Sequence, residues 1–189
     1  MINRLIVIST LILATSLAVN WVLDESEAVQ DEKVRNDPDV YMVNATIAEY
    51  GKAGKLQHIL SAARFTHFPM TDLTSLKEPQ IELKPEDRWE ISAKEGRLLS
   101  ASTYREEIVE LWDRVLANHS AADGKFIQIQ TKSLTVYPER DYLETDEKVY
   151  IDNETGRTTA AGMKAFLDTG HFQFFSDETE RVITIFLPN

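Results

Sequence analysis

Residues capable of catalysis are present but poorly organised for it. The four histidines, His58, His67, His119 and His171, show no HExxH or comparable metal-ligand spacing, although ligands distant in sequence stay open. Cysteine is absent, which removes thiolate zinc sites, disulfide scaffolds and cysteine nucleophiles. There is no GxSxG nucleophile elbow and no GxxxxGK(S/T) phosphate loop. Gly51-Lys52-Ala53-Gly54-Lys55 is too short to cradle a phosphate and reads as a hairpin turn. A glycosidase-type pair could be drawn from Glu106, Glu107, Glu139, Asp141, Glu144 and Asp146. Such acidic runs read more simply as solvated faces. The expectation is a protein that is not an enzyme and carries neither metal nor cofactor.

Charge narrows the partners. The 189 residues hold 20 Lys+Arg against 31 Asp+Glu, a net charge of −11 with no basic stripe. Binding to a nucleic acid needs clustered cations to neutralise phosphates, so that class is excluded.

The N-terminus is of different material. Leu5 to Leu23 is nineteen residues without a charge. As a helix it spans roughly 28 Å, close to the hydrocarbon thickness of a bilayer. Arg4 precedes it and Asp24, Glu25 and Glu27 follow, which places residues 1–4 in the cytoplasm and the remainder outside. A cleaved signal peptide would use Ser16-Leu17-Ala18, but the apolar run continues past that site through Trp21-Val22-Leu23, which favours a retained anchor. The expected organisation is an anchor at 5–23, an acidic tether at 24–36 and one exported domain at 37–189.

That domain reads as short strands. Tyr41, Val43, Ala45 and Ile47 alternate with polar residues, Leu56 to Phe68 is extended, and Ile81 and Leu83 alternate between Pro79 and Pro85. Trp89 and Ile91 share a face opposite Glu90; Phe126 to Gln130, Leu134 to Tyr137 and Leu143 to Ile151 follow the same rule. The chain closes on Val182-Ile183-Thr184-Ile185-Phe186. Such frequent turn signals predict an all-β sandwich, jelly roll or barrel.

One segment is ambiguous. Ile108, Leu111, Trp112, Val115 and Leu116 have helical spacing behind a capping-box-like Thr103-Tyr104-Arg105-Glu106. A weak internal repeat argues for strand instead. Trp89-Glu-Ile-Ser-Ala-Lys94 aligns with Ile127-Gln-Ile-Gln-Thr-Lys132, and Asp113-Arg-Val-Leu-Ala117 with Glu147-Lys-Val-Tyr-Ile151. Repeated strand pairs that stack on one another form an open-ended β-structure.

Taken in order, the anchor, Asn36-Asp37-Pro38, Trp89-Glu-Ile-Ser-Ala-Lys-Glu-Gly96 and Thr131-Lys-Ser-Leu-Thr-Val-Tyr-Pro138 resemble the LptC family of lipopolysaccharide export proteins. Tyr142-Leu-Glu-Thr-Asp-Glu-Lys-Val149 and Thr159-Ala-Ala-Gly-Met163 extend the resemblance over essentially the whole chain. It departs at Asp113, where such repeats commonly have glycine. The resemblance implies an all-β fold, an open twisted β-jelly roll of many short antiparallel strands, preceded by one N-terminal transmembrane helix in the bacterial inner membrane. It also implies strand rather than helix over 105–119. The implied function is to receive lipopolysaccharide from the LptB–LptF–LptG ABC transporter, met through the anchor and the N-terminal edge strand, and to pass it to LptA in the periplasm.

Each buried methylene is worth about 0.8 kcal/mol, so ten of them supply about 8 kcal/mol of gross transfer energy. An apolar interior can therefore hold acyl chains without a cationic site. Inward candidates by alternation are Val43, Ala45, Ile47, Ile81, Leu83, Trp89, Ile91, Val109, Leu111, Val115, Ile127, Ile129, Leu134, Val149 and Ile151, with Leu76 and Phe174 added through the resemblance. Val182, Ile183, Thr184, Ile185 and Phe186 are the expected edge for LptA, by strand addition. The alternative is a membrane-anchored protein–protein scaffold that binds no lipid, with the same apolar residues as ordinary core.

Overall fold

Two-residue periodicity becomes strand almost everywhere. The computed structural model describes residues 36–51, 54–83, 87–121 and 123–187. The expected cytoplasmic end, anchor and tether lie outside these, apart from Asn36. Among the described residues no helix is long and apolar enough to cross a membrane. The strands are β1 (Val40–Tyr50), β2 (Leu56–Phe68), β3 (Leu73–Lys77), β4 (Gln80–Leu83), β5 (Trp89–Ser92), β6 (Glu95–Leu99) and β7 (Ile108–Ser120). They continue as β8 (Phe126–Tyr137), β9 (Tyr142–Thr145), β10 (Val149–Asn153), β11 (Gly156–Ala160), β12 (Gly162–Phe166), β13 (His171–Phe175) and β14 (Ile183–Phe186). A single 3-10 turn, Pro138–Arg140, joins β8 to β9.

Every pairing is antiparallel, and the long strands branch. One end of β2 pairs with β4 and the other with β3. Likewise β7 pairs first with β6 and then with β5, and β8 first with β10 and then with β9. The sheet thus divides into two half-sheets that share β1, β2, β7 and β8. One continues through β3, β6, β9, β12 and β13; the other through β4, β5, β10, β11 and β14. Side chains of both contribute to one buried cluster, and Trp89 of β5 meets Phe172 of β13 with ring centroids 6.3 Å apart. This is the open jelly roll.

Two of the long strands, β1 and β7, pass between half-sheets at residues in the left-handed conformation. Asn44 has φ 49° and the consecutive Asp113 and Arg114 have φ 60° and 59°. Asparagine and aspartate tolerate this region through local hydrogen bonding. The Asp113 carbonyl accepts the Lys94 amide at 2.9 Å, so the departure from glycine is accommodated inside the bend.

These bends explain where simple alternation fails. Asn44 resets the phase of β1, so Val43 pairs with Arg64 on the outer face and is 66 % exposed. The expectation that Val43 faces inward is thereby corrected; Met42, opposite Phe65, takes the inward place. In β7 the two extra residues put inward Leu111 and Val115 four apart, which imitates helical spacing in a strand. The single strand expected over Leu143 to Ile151 is two, β9 and β10, in different half-sheets. Thr145 Oγ1 fixes the break, donating to the Ser133 carbonyl at 2.7 Å and accepting the Glu147 amide at 3.1 Å.

Candidate functional site

Cross-strand register shows what the interior can do. Residues directly opposite each other in a sheet share a face. One inward row runs Ile47–Leu60–Ile81–Ile91–Ala117–Ile129–Ile151–Thr158–Thr184, from β1 to β14 without a break. A second row runs Val40–His67–Thr74–Leu98–Val109–Val136–Leu143–Ala165–Phe172, from β1 to β13. Nine strands at about 4.8 Å spacing give each row a reach of about 38 Å. Apart from three hydroxyls and one histidine the rows are aliphatic or aromatic. An amphiphile lying across the strands would find hydrocarbon contact over most of that length, interrupted by His67–Thr74 in one row and ending on Thr158–Thr184 in the other.

The predicted inward residues are distributed along this surface. Leu76, Ile81, Leu83, Trp89, Ile91, Leu111 and Ile129 are buried in the single core cluster. Ala45 sits opposite Ala62 and, with Phe174, packs on the edge of that cluster. Ile47 is inward by register yet partly exposed. The middle of the interior is filled: Leu76, Leu83 and Val109 have no accessible surface, and Ile81, Ile91 and Leu111 have 1 %. Ile127, expected inward by alternation, packs on the same face; Met42 and Phe172 belong to it too and escaped sequence reading. The signal for Phe172 was its alternation with Phe174; for Met42 it was the αL-tolerant Asn44 two residues on.

The ends of the rows are open. β1 pairs with β2 alone and β14 with β11 alone, so each offers a row of backbone groups to a further strand. The five residues expected to form one edge strand divide as Val182, just ahead of it, and Ile183–Phe186, which are β14 itself. Ile183 and Ile185 lie on the outer face; Thr184 and Phe186 lie on the inward one, with the Thr184 and Thr158 hydroxyls 3.0 Å apart. All four are exposed, Phe186 at 75 %.

Polar groups cap the outer end of the first half-sheet. Tyr137 and Tyr142 donate to the two oxygens of Glu144 at 2.9 and 2.7 Å, and the Arg140 guanidinium lies 4.4 Å from the Tyr137 ring centre. Burial, and then the Glu144 carboxylate, push both phenols above their ordinary range. They act as fixed hydrogen-bond donors at physiological pH.

The chain matches the family model described as LptC, lipopolysaccharide-assembly, LptC-related, over residues 6–179. Among solved structures it is similar to LptH, described as the LptA homologous periplasmic component of the lipopolysaccharide transport device of Pseudomonas aeruginosa. The TM-score is 0.53 at 6 % identity, covering 82 % of this chain and 98 % of that one, which places the two in the same fold. No curated protein matches the sequence.

Proposed function

The chain belongs to the LptC-related family of lipopolysaccharide-assembly proteins and serves lipopolysaccharide transport; from that premise we propose that its 37–189 domain carries the lipid from the β1 edge to the β13 and β14 edges. The observation that carries this reading is the pair of apolar rows, each continuous from one free edge of the sheet to the other. Acyl chains lie along the rows while phosphates and sugars stay in water, in keeping with a protein of net charge −11. Residues 5–23 anchor the domain on the periplasmic side of the inner membrane. The β1 edge faces the LptB–LptF–LptG transporter. β14 templates a strand of LptA: its free edge supports strand addition, and the family supplies the partner. The chain does no catalysis: it is a conduit, and a partner's ATP hydrolysis supplies the direction.

Because the middle of the interior is filled, acyl chains pass only when the half-sheets part. The same filled core favours a second reading, a scaffold that joins transporter to LptA without holding lipid. In-cell photocrosslinking separates the two. A photoreactive residue at Phe174 or Ala45 is expected to give an ATP-dependent lipopolysaccharide adduct, and none at outward Glu90. Protein crosslinks at β1 and β14 with no lipid adduct from any inward position would establish the scaffold instead.

A further inference from the structure

The β1–β2 hairpin and the segment leading into β7 bring together three side chains that no local spacing connects. Glu49, His58 and Glu107 each present one ligand atom, and these atoms all lie within 4.8 Å of one another. His58 Nε2 is 2.8 Å from Glu107 Oε1 and 3.9 Å from Glu49 Oε2. The His58 and Glu107 side chains are 3 % and 10 % exposed, whereas Glu49 stands at the lip at 38 %. Glu107 Oε1 is buried with no hydrogen-bond partner, despite its approach to the imidazole, and so is His58 Nδ1. A buried polar atom without a partner costs about 1–3 kcal/mol, more for a charged group. Two carboxylates converge here on a single imidazole. One proton on His58 offsets one of those charges, but it does not give the Glu107 oxygen a well-directed donor.

We propose that these three residues form a binding site for a divalent cation of borderline softness, Zn²⁺. One imidazole nitrogen and two carboxylate oxygens are a donor set that zinc accepts at about 2.0–2.2 Å, leaving a fourth position for water. Accommodating the ion requires His58 Nε2 and Glu107 Oε1 to part by about half an ångström and the exposed Glu49 carboxylate to swing inward from 3.9 Å. Glu49, at the lip, is the most accessible of the three ligands. The carboxylates neutralise the ion's charge, and the orphaned Glu107 oxygen gains its partner. His58 pairs with Leu83 in one half-sheet, while Glu107 precedes the part of β7 that pairs with β6 in the other. The ion therefore ties the two half-sheets together beside the β1 edge. This inference does not depend on what the interior carries.

The test is calorimetric titration of ZnCl₂ into the full, untagged chain in detergent after chelator treatment, with Co²⁺ visible absorption as a second probe. The expected result is saturable binding of one ion per chain, a tetrahedral Co²⁺ band and a raised melting temperature. Glu107→Gln and His58→Gln are each expected to weaken binding beyond the about 10–100-fold that loss of a supporting outer group costs. Glu49→Gln, at the exposed lip, preserves the fold if the buried variants do not, and is expected to weaken binding at least tenfold with the melting temperature of the ion-free chain unchanged. Absence of saturable binding, or equal affinity in wild type and Glu49→Gln, would overturn the proposal and leave the cluster as an ion pair between half-sheets.

Discussion

Strand β1 runs beside β2 from Val40↔His67 to Tyr50↔Leu56 and so borders both half-sheets, whereas β14 meets β11 over Gly156↔Phe186 to Thr159↔Ile183 in one half-sheet only. Both edges leave backbone donors and acceptors free, yet they are held very differently. β1 places Met42 and Ala45 against the core, and its loss would uncover the inward side of β2. β14 is exposed at every residue, whereas Met42 and Ala45 are partly buried, and the loss of β14 would uncover little beyond β11. The lesson is that a sheet edge can be structural or exchangeable depending on how much apolar surface travels with its hydrogen bonds. The C-terminal edge is the one able to reorganise around a partner strand without disturbing the core.

The sharpest break of this comparison is truncation before Val182. It is expected to abolish capture of LptA in a pull-down while the urea midpoint of the remaining domain moves little. A large loss of stability would show that β14 belongs to the core after all. A paired substitution tests the other edge. Ala45→Arg puts a charge on the inward face against Ala62 and is expected to cost about 3 kcal/mol, while outward Val43→Arg, beside Arg64, stays within about 0.5 kcal/mol. Equal effects in urea denaturation would refute the phase shift at Asn44.

A third change addresses how β14 is seated. A Cβ on Gly156 would lie 2.0 Å from the Ile185 carbonyl oxygen, so the strand lies directly on this glycine. Gly156→Ala is expected to cost about 1–3 kcal/mol, expressed as lost amide-exchange protection over Ile183–Phe186 with β1 unaffected. Protection lost equally at β1 would mean that the two edges are coupled.

The smallest effect concerns pH at the start of β1. His67 Nδ1 is 2.7 Å from Asp39 Oδ1, and this contact raises the imidazole above its ordinary value, with a lesser contribution from Asp72. A raised folded-state value means the contribution is complete below about pH 6.5 and is lost as pH rises through the elevated value. Exchange at Val40–Met42, corrected for its intrinsic pH dependence, is expected to quicken modestly over that rise. Asp39→Asn should leave only the weaker dependence due to Asp72.

How much of this was legible beforehand follows from the range of each interaction. The extent of β2, Leu56–Phe68, and the inward faces of β4 and β5 were readable, because alternation is a local property there. The face of Val43 was not, because one left-handed residue inverts everything on its far side. The helix-like pattern over 108–116 and the division between β9 and β10 misled for the same reason: changing half-sheet changes phase. The repeat did carry information. Trp89 and Ile91 sit where Ile127 and Ile129 sit, inward in the same half-sheet, as do Val115 and Ala117 with Val149 and Ile151. Meetings such as His58 with Glu107 depend on stacking and have no signature along the chain.

The strands shared by both half-sheets act as the spine of a book. With β1, β2, β7 and β8 continuous across it, the covers cannot slide past each other without tearing backbone ladders on both sides. What remains is angular: rotation about the line drawn by Asn44 and the Asp113–Arg114 pair, widest at the free margins and vanishing at the fold. A guest wedged between the covers would thus be gripped by hinge stiffness rather than by a closed tunnel, and could leave sideways at any rung once the margins part.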